Sequence, residues 1–279
     1  SAAIATPIVT AVVANSGWRA GYRLLGISAA VLFALALLLI RFKPEDMGQT
    51  ALGADRLVSA DGTPPSAVGL TRKEALKTPA FYLMVFGFMG NSFIGMSMSA
   101  HANACLTDIG YPKNTVALVM SLIMAVMIGG KILFGIAFDR LGSVRGAFLV
   151  GFSVTISALA LRLAALSPIM PWVYAVCFGF GFSTLTVPLP YFAGENFGML
   201  EYAPIYSLSM VFANLASATS QPLAGAIRDV TGSYNTVWNI EILLGIAATA
   251  ALVAAAAIAR KEGYNPKSKY ALEKAKQHV

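Results

Sequence analysis

Residues 29–40 read AAVLFALALLLI, an unbroken apolar row. A membrane β-strand alternates lipid-facing and lumen-facing residues over about ten positions, and this stretch does not alternate. A soluble helix keeps its apolar residues on one stripe, whereas this one is apolar all round. A helix that satisfies its own backbone hydrogen bonds inside hydrocarbon is what remains. Extended back to Tyr22, the run reaches the roughly 20 residues that a bilayer crossing needs.

Six further segments, at residues 79–103, 115–137, 146–165, 172–192, 204–227 and 236–259, are long and apolar enough to do the same. Of the 279 residues, 57% are hydrophobic and 12% are charged, with a mean hydropathy of +0.69. A soluble domain carries about 25% charged residues. This balance excludes a secreted disulfide scaffold, a disordered tail, a coiled coil and an ordinary soluble enzyme. Two cysteines, Cys105 and Cys177, cannot make a disulfide framework and read as reduced thiols. The expected fold class is all-α, a polytopic transmembrane bundle. The opening run SAAIATPIVTAVVA lacks a basic leader and is too short to cross. It reads as the end of a longer helix, so the chain is expected to be a fragment.

The formal charge of +7 is concentrated rather than spread. Of the 20 Lys and Arg residues, 14 lie in the 41–78 segment, the 138–146 turn and the tail from residue 260. Arg19, Arg23, Lys113, Arg162 and Arg228 fall on the opposite loops. Cytoplasmic loops retain Lys and Arg, so the first group and the C-terminus are expected in the cytoplasm. The charge is then a topology signal, and no nucleic acid is needed to explain it. Residues 41–78, with the stretch ADGTPPSAVG, read as a flexible linker. Its end tightens: Thr71-Arg72-Lys73-Glu74 fits a capping box, and Thr78-Pro79 starts a helix with proline where no N–H donor is needed. The expected divisions are an N-terminal remainder (1–40), the central loop (41–78), a six-helix bundle (79–259) and a basic tail (260–279).

Two stretches share a spacing. Gly135-Ile-Ala-Phe-Asp139-Arg-Leu-Gly142-Ser143 and Gly225-Ala-Ile-Arg-Asp229-Val-Thr-Gly232-Ser233 both follow G-x-x-x-D-x-x-G-S. Each closes the middle helix of a three-helix set, so the copies are expected on opposite membrane faces. An inverted repeat of this kind is a common build of secondary transporters.

At these residues the chain resembles the major facilitator superfamily. Gly135-x-x-x-Asp139-Arg140-x-Gly142-x-x-Arg145 is similar to its cytoplasmic loop signature, in the copy between helices 8 and 9. Gly17-Trp18-Arg19 is similar to the loop between helices 5 and 6, and Pro44-Glu45-Asp46-Met47-Gly48 to the central loop of bacterial members. Asp229-x-Thr-Gly-Ser-Tyr234 is similar to the loop between helices 11 and 12. The resemblance covers essentially the whole chain and departs at Ser143-Val144, where the signature is usually more basic. It implies twelve helices in two halves around a central cavity, with helices 1–4 preceding Ser1, and a bacterial plasma-membrane location. The fragment alone is then expected to be transport-incompetent. It also implies that Gly135, Asp139, Arg140, Gly142 and Arg145 form a gating motif, whose contacts are made in one transporter state and broken in another.

Lys131 lies inside the 115–137 span, with no acid three or four residues away on its helix. A lysine at a helix centre costs about 2.5–3.5 kcal/mol on insertion scales, so it faces a cavity or partner, or its stem snorkels to the interface. The resemblance sharpens this choice. In monocarboxylate transporters and oxalate–formate antiporters, a cation on helix 8, four residues before a glycine, binds the substrate carboxylate. Lys131 and Gly135 match that position, though the usual cation is Arg. No second cation appears at 204–227, which favours a monocarboxylate over a dicarboxylate. Asn91 and Asn214, near the centres of their spans, are further substrate-binding candidates or simple helix bridges. Ser183, Thr184 and Thr186 are weaker candidates, His101 is a proton-relay candidate, and Glu241 opens a helix that the family places on the periphery. Gly179 and Gly181 are expected to let helices approach closely.

The expected function is secondary transport of a small organic anion by alternating access. The proton is the candidate coupling ion, and the bilayer is the other partner. No cofactor and no metal are called for. Neither H-E-x-x-H nor G-x-S-x-G occurs, and the histidines are His101 and His278, so an intramembrane enzyme is not expected. The alternatives are a facilitator of a sugar, drug or peptide and, more remotely, a receptor or sensor.

Overall fold

A computed structural model describes residues 2–39, 48, 68–183 and 188–265. The sequence features at 40–47, 49–67, 184–187 and 266–279 lie outside the described residues. These include the start of the central-loop resemblance, Thr184, Thr186 and the basic tail. The chain divides into two units, Ser1–Pro65 and Ser66–Val279.

The first unit is a helical hairpin of α1 (Ala2–Ser16) and α2 (Trp18–Leu39). Gly17, at φ 78°, makes the reversal, a conformation that glycine adopts without a Cβ penalty. Beyond the turn, a Cβ at Gly21 would stand 2.6 Å from Val13 Cγ2, so the two helices touch where that side chain is missing. The outer faces of α2 remain apolar and exposed, with Leu32, Phe33, Leu38 and Leu39 each well over half accessible.

The second unit begins inside the segment read as a linker. Its short α3 (Arg72–Ala75) is capped as the sequence predicts, with Thr71 Oγ1 accepting from the Glu74 amide. In return, the Thr71 amide donates to Glu74 Oε2 at 2.8 Å. Then come α4 (Pro79–Ile109), α5 (Lys113–Arg162), α6 (Met170–Ser183), α7 (Pro188–Phe197), α8 (Tyr202–Thr231) and α9 (Asn235–Glu262). Thr78 caps α4 and accepts from the Phe81 amide, with proline in the first turn. Helix α5 is two arms joined at Gly142, whose φ 72° and ψ 176° are non-helical. Among the described residues there is no strand, and the one isolated bridge pairs Gly69 with Gly198.

Helix α4 is the hub. It packs on α8 on one side and on α9 on another, while α5 packs chiefly on α6 and α9. Small residues make these crossings close, as membrane helix pairs require. Gly87 and Gly90 lie against Leu252 and Ala248 of α9, Gly151 against Thr249, and Gly245 against Thr155. A Cβ at Gly179 would be 2.7 Å from Val126 Cβ and 2.9 Å from the Ile123 carbonyl. Close packing is therefore its role. Gly181 has a milder constraint, 3.2 Å to Val154 Cγ2.

Among the described residues, five helical segments are long and apolar enough to cross a membrane: Trp18–Leu39, Pro79–Ile109, Lys113–Leu133, Gly135–Arg162 and Asn235–Glu262. The sequence predicted seven. Helix α8 also has the length to cross, and its Ser209, Asn214, Ser217, Thr219, Ser220 and Gln221 make it more polar than those five. Its hydroxyls are not idle: Ser209, Ser217 and Thr219 donate to the carbonyls of Ile205, Ala213 and Leu215 at 2.9–3.0 Å. Such back-bonding satisfies the hydroxyls within the helix itself. The span expected at 172–192 falls on α6 and α7, which are described on either side of residues 184–187, and α7 runs on to Phe197.

Candidate functional site

The two copies of the repeat end in glycines with positive φ, Gly142 at 72° and Gly232 at 70°. Gly232 is an ordinary left-handed cap of α8, whereas Gly142 turns the chain between two arms of one long helix. The copies sit at opposite ends of the bundle. A Cβ at Gly142 would lie 3.5 Å from Glu195 Oε1 at the end of α7. Near Gly232, Arg228 pairs with Asp108 at the end of α4, at 2.9 Å, and with Asp229 at 3.4 Å.

At the Gly142 end the turn is clasped from α7. The Tyr191 hydroxyl donates to the Phe138 carbonyl at 3.0 Å, and the two rings stand 5.1 Å apart. Asn265 Nδ2 donates to the carbonyls of Gly194 and Glu195 and so holds the end of that helix. Glu195 Oε2 is buried and makes no hydrogen bond among the described residues. Asp139, Arg140 and Arg145 are exposed, Gly135 and Gly142 are half-buried, and no ion pair joins the three charged residues. In this conformation the charged part of the signature is open, and the neighbour nearest Gly142 is Glu195. That residue was missed in the sequence because it lies beyond the predicted end of its span.

The same end serves as a ruler. Helix α4 starts there at Pro79, the first arm of α5 finishes there at Gly142, and α8 starts there at Tyr202. At 1.5 Å per residue, Asn91, Lys131 and Asn214 stand about 18, 16 and 18 Å in from it. A hydrocarbon core is about 30 Å thick, so all three residues occupy its middle. Their surroundings differ. Lys131 is exposed on the first arm of α5, beside exposed Ile128 and Ile132, and has no hydrogen-bond or ionic partner among the described residues. Asn214 is exposed on α8. Asn91 is 1% exposed, and its amide nitrogen and oxygen are both without a hydrogen-bond partner among the described residues. Helices α5 and α8 each pack on α4 and make little contact with one another. Lys131 and Asn214 thus share a depth on separate open faces, and Asn91 sits inside the helix bundle. A cavity of about 230 Å³ lies just beyond Lys131, lined by Leu133, Ala137, Leu149, Ser153 and Phe180.

The opposite end holds a second polar group. His101 Nε2 meets the Gln221 carbonyl at 3.0 Å, and Nδ1 meets the Tyr234 hydroxyl at 3.3 Å. A carbonyl only accepts, so Nε2 carries the hydrogen and Nδ1 is the acceptor. One turn further out, the Trp238 indole donates to Cys105 Sγ at 3.3 Å. Glu241, expected at the periphery, is 1% exposed. The rest of its helix carries exposed apolar residues such as Leu243 and Ile246, so this carboxyl is on the inward stripe.

An all-α chain with five helices among its described residues fit to cross a bilayer, and with polar groups placed along them, is an integral membrane protein of the polytopic helical-bundle class. Residues 1–220 match the family model of the Major Facilitator Superfamily. The chain belongs to that superfamily and is a membrane transporter of a small molecule. No curated protein matches the chain.

Proposed function

We propose that the protein carries a small organic anion, a monocarboxylate, by alternating access, with Lys131 as the counter-charge to the carboxylate. The observation that supports this is the placement of Lys131. It is exposed at mid-membrane depth and lacks an acidic partner among the described residues. A dehydrated ammonium with no counter-ion is unfavourable, and an anion that brings one is bound preferentially. Asn214, at the same depth, can donate to the second carboxylate oxygen. Asn91, inside the bundle, is a positioning residue for that region. Lysine offers a point charge rather than a planar fork, which suits one carboxylate better than a pair held at fixed spacing.

In this reading, the end that carries the 138–146 turn faces the cytoplasm of a bacterial cell, and the C-terminus lies on the same side. Gly135, Asp139, Arg140, Gly142 and Arg145 form the gate there. The open charges of Asp139 and Arg140 are the form the gate takes when its contacts are released. Uptake of radiolabelled lactate, formate and oxalate by cells expressing the whole protein tests the substrate class. Lys131→Gln is expected to abolish lactate or formate uptake with the protein still folded in the membrane. Undiminished uptake by that variant refutes the anion reading.

A second reading rests on the exposed apolar neighbours of Lys131, Ile128 and Ile132. They fit a lysine whose stem snorkels along lipid while the protein moves a sugar, drug or peptide. The same substitution separates the two, because a snorkelling lysine is dispensable for transport. A receptor or sensor would bind its ligand without any accumulation inside.

A further inference from the structure

Glu241 sits six residues, about 9 Å, past the start of α9, and it is sealed. Its side chain is 1% exposed, and neither carboxyl oxygen makes a hydrogen bond among the described residues. The groups around it come from every helix packed there. Ser97 of α4 is near enough to interact with the carboxyl, and its own Oγ is likewise buried without a partner. Tyr174 of α6 lies in electrostatic range, with a hydroxyl that is buried and unpartnered. Thr155, on the second arm of α5, abuts Gly245 one turn along α9, and its Oγ1 is also unpartnered. Arg162, at the end of α5, reaches Asn239, two residues before Glu241, rather than the carboxyl, Nε to Oδ1 at 3.1 Å. Arg228 is engaged by Asp108 and Asp229 at the helix ends.

Hydroxyls, and no cation among the described residues, are the surroundings of a neutral acid. A carboxylate buried without a counter-charge or donors is strongly disfavoured, and such a group takes up a proton instead. The hydroxyls can donate when the group ionises and accept when it is protonated, which suits a site that changes state. Intramembrane acids are rare, and they mark ion or proton pathways.

The approach is set by helical spacing. On α4, Ser97, His101, Cys105 and Asp108 recur every three or four residues and share one face. On α9, Tyr234, Trp238 and Glu241 do the same. The two stripes meet as His101 with Tyr234, Cys105 with Trp238 and Ser97 with Glu241. His101 is half-buried and lies one turn, about 6 Å, outward of Ser97 along α4.

We propose that Glu241 is a proton-binding site of this transporter, loaded through His101 from the end of the bundle where α4 finishes and α9 begins. A hydronium ion gives its proton to His101 Nδ1, the nitrogen that meets the Tyr234 hydroxyl, leaving water and an imidazolium. That nitrogen then gives up the proton, and an ionised Glu241 oxygen takes it. One O–H bond of hydronium breaks, one N–H bond forms and breaks, one O–H bond forms on the carboxyl, and the imidazole returns to neutral. The site is independent of whether Lys131 binds a carboxylate.

Infrared spectroscopy of the purified whole protein in lipid nanodiscs reads this directly. At neutral pH a protonated-carboxyl carbonyl band is expected, and Glu241→Gln, which keeps the shape of the neutral acid, should remove it. On transfer to deuterated water the band shifts as the proton exchanges, and His101→Ala should slow that shift several-fold. Ser97→Ala leaves the acid in place and should move the band, which covers the case in which Glu241→Gln fails to fold. A band unchanged in Glu241→Gln, or unmoved by Ser97→Ala, overturns the site. Exchange at the wild-type rate in His101→Ala overturns the route.

Discussion

Replacing Gly142 by alanine tests what makes the 138–146 turn. With φ 72° and ψ 176°, this residue occupies a region that is essentially closed to side chains. Holding alanine there costs about 1–3 kcal/mol. Crowding adds little, because the nearest atom to the new Cβ would be Glu195 Oε1 at 3.5 Å, an ordinary contact. The cost is therefore almost wholly in the backbone. Gly135, the other glycine of the signature, supplies the control. It is helical, and a Cβ there would meet nothing within 4 Å. Alanine at a helical glycine is favourable by about 0.5–1 kcal/mol. Two glycines of one motif, seven residues apart, are thus expected to respond with opposite signs. Thermal unfolding of the purified protein in detergent, followed by tryptophan fluorescence, measures both. At about 2–4 °C per kcal/mol for a chain of this order, Gly142→Ala should lower the midpoint by about 2–12 °C. Gly135→Ala should hold or raise it. A Gly142→Ala midpoint equal to wild type refutes the backbone argument. A larger loss at Gly135 than at Gly142 shows instead that a neighbour outside this bundle presses on residue 135.

Further expectations follow from other contacts. Gly179→Ala should destabilise the α5–α6 crossing by about 1–3 kcal/mol, the range for overpacking, whereas Gly26→Ala, with open space around it, should not; the same unfolding assay compares them. Arg228→Ala removes the ion pair with Asp108, but both side chains are well exposed, at 39% and 48%. The loss should stay within about 1 kcal/mol and shrink as salt is added. Lys131→Arg keeps the charge and is expected to retain carboxylate uptake where Lys131→Gln loses it, measured with labelled lactate. At α3, the Thr71 backbone amide and then its hydroxyl hold the Glu74 carboxyl below its ordinary value of 4.5. The lowered value means that the capping contribution is present above the ordinary value and fades as pH falls through the lowered one. The protection of amides 71–75, measured against their intrinsic exchange rates at each pH, should therefore fall in acid, and Glu74→Gln should show the reduced protection already at neutral pH.

Hydropathy made the helices and their order legible, because a crossing must be apolar along its whole length. It is weakest at α8, the most polar of the long helices. A helix that gives its hydroxyls to its own carbonyls can be polar by composition and still be well satisfied. The loop signature was legible as spacing, and the positive φ of Gly142 and Gly232 is why glycine stands at both places. The inward face of each helix was not legible. Glu241 and Lys131 are both lone charges in apolar runs, yet the first is buried against three other helices and the second is exposed. Only packing separates them, because a single helix with apolar residues all round carries no stripe to say which side faces protein. Glu195 was hidden by a boundary error of a few residues, and the Tyr234 partner of His101 by a separation of 133 residues.

The two charges stand on different sides of α4, and this limits how they can communicate. Lys131 lies on the exposed first arm of α5, near mid-membrane. Glu241 lies in the seam where α9 closes on α4, one level nearer the far end. Helix α4 packs on α5, α8 and α9 alike, and it carries Asn91 at the depth of the lysine and Ser97 at the carboxyl. A proton taken by Glu241 removes a charge that only the Ser97, Tyr174 and Thr155 hydroxyls can stabilise, so its effect is felt first in the fit of α9 against α4. That seam is made close by Gly87 and Gly90, whose missing side chains leave it no slack. Interfaces packed so closely switch between discrete arrangements rather than deform by degrees. A proton-binding Glu241, as proposed above, would act across this seam on α4, the helix that also carries Asn91. Coupling by this route predicts that Gly90→Leu, which wedges the seam open far from both charges, uncouples protonation of Glu241 from any change at Lys131.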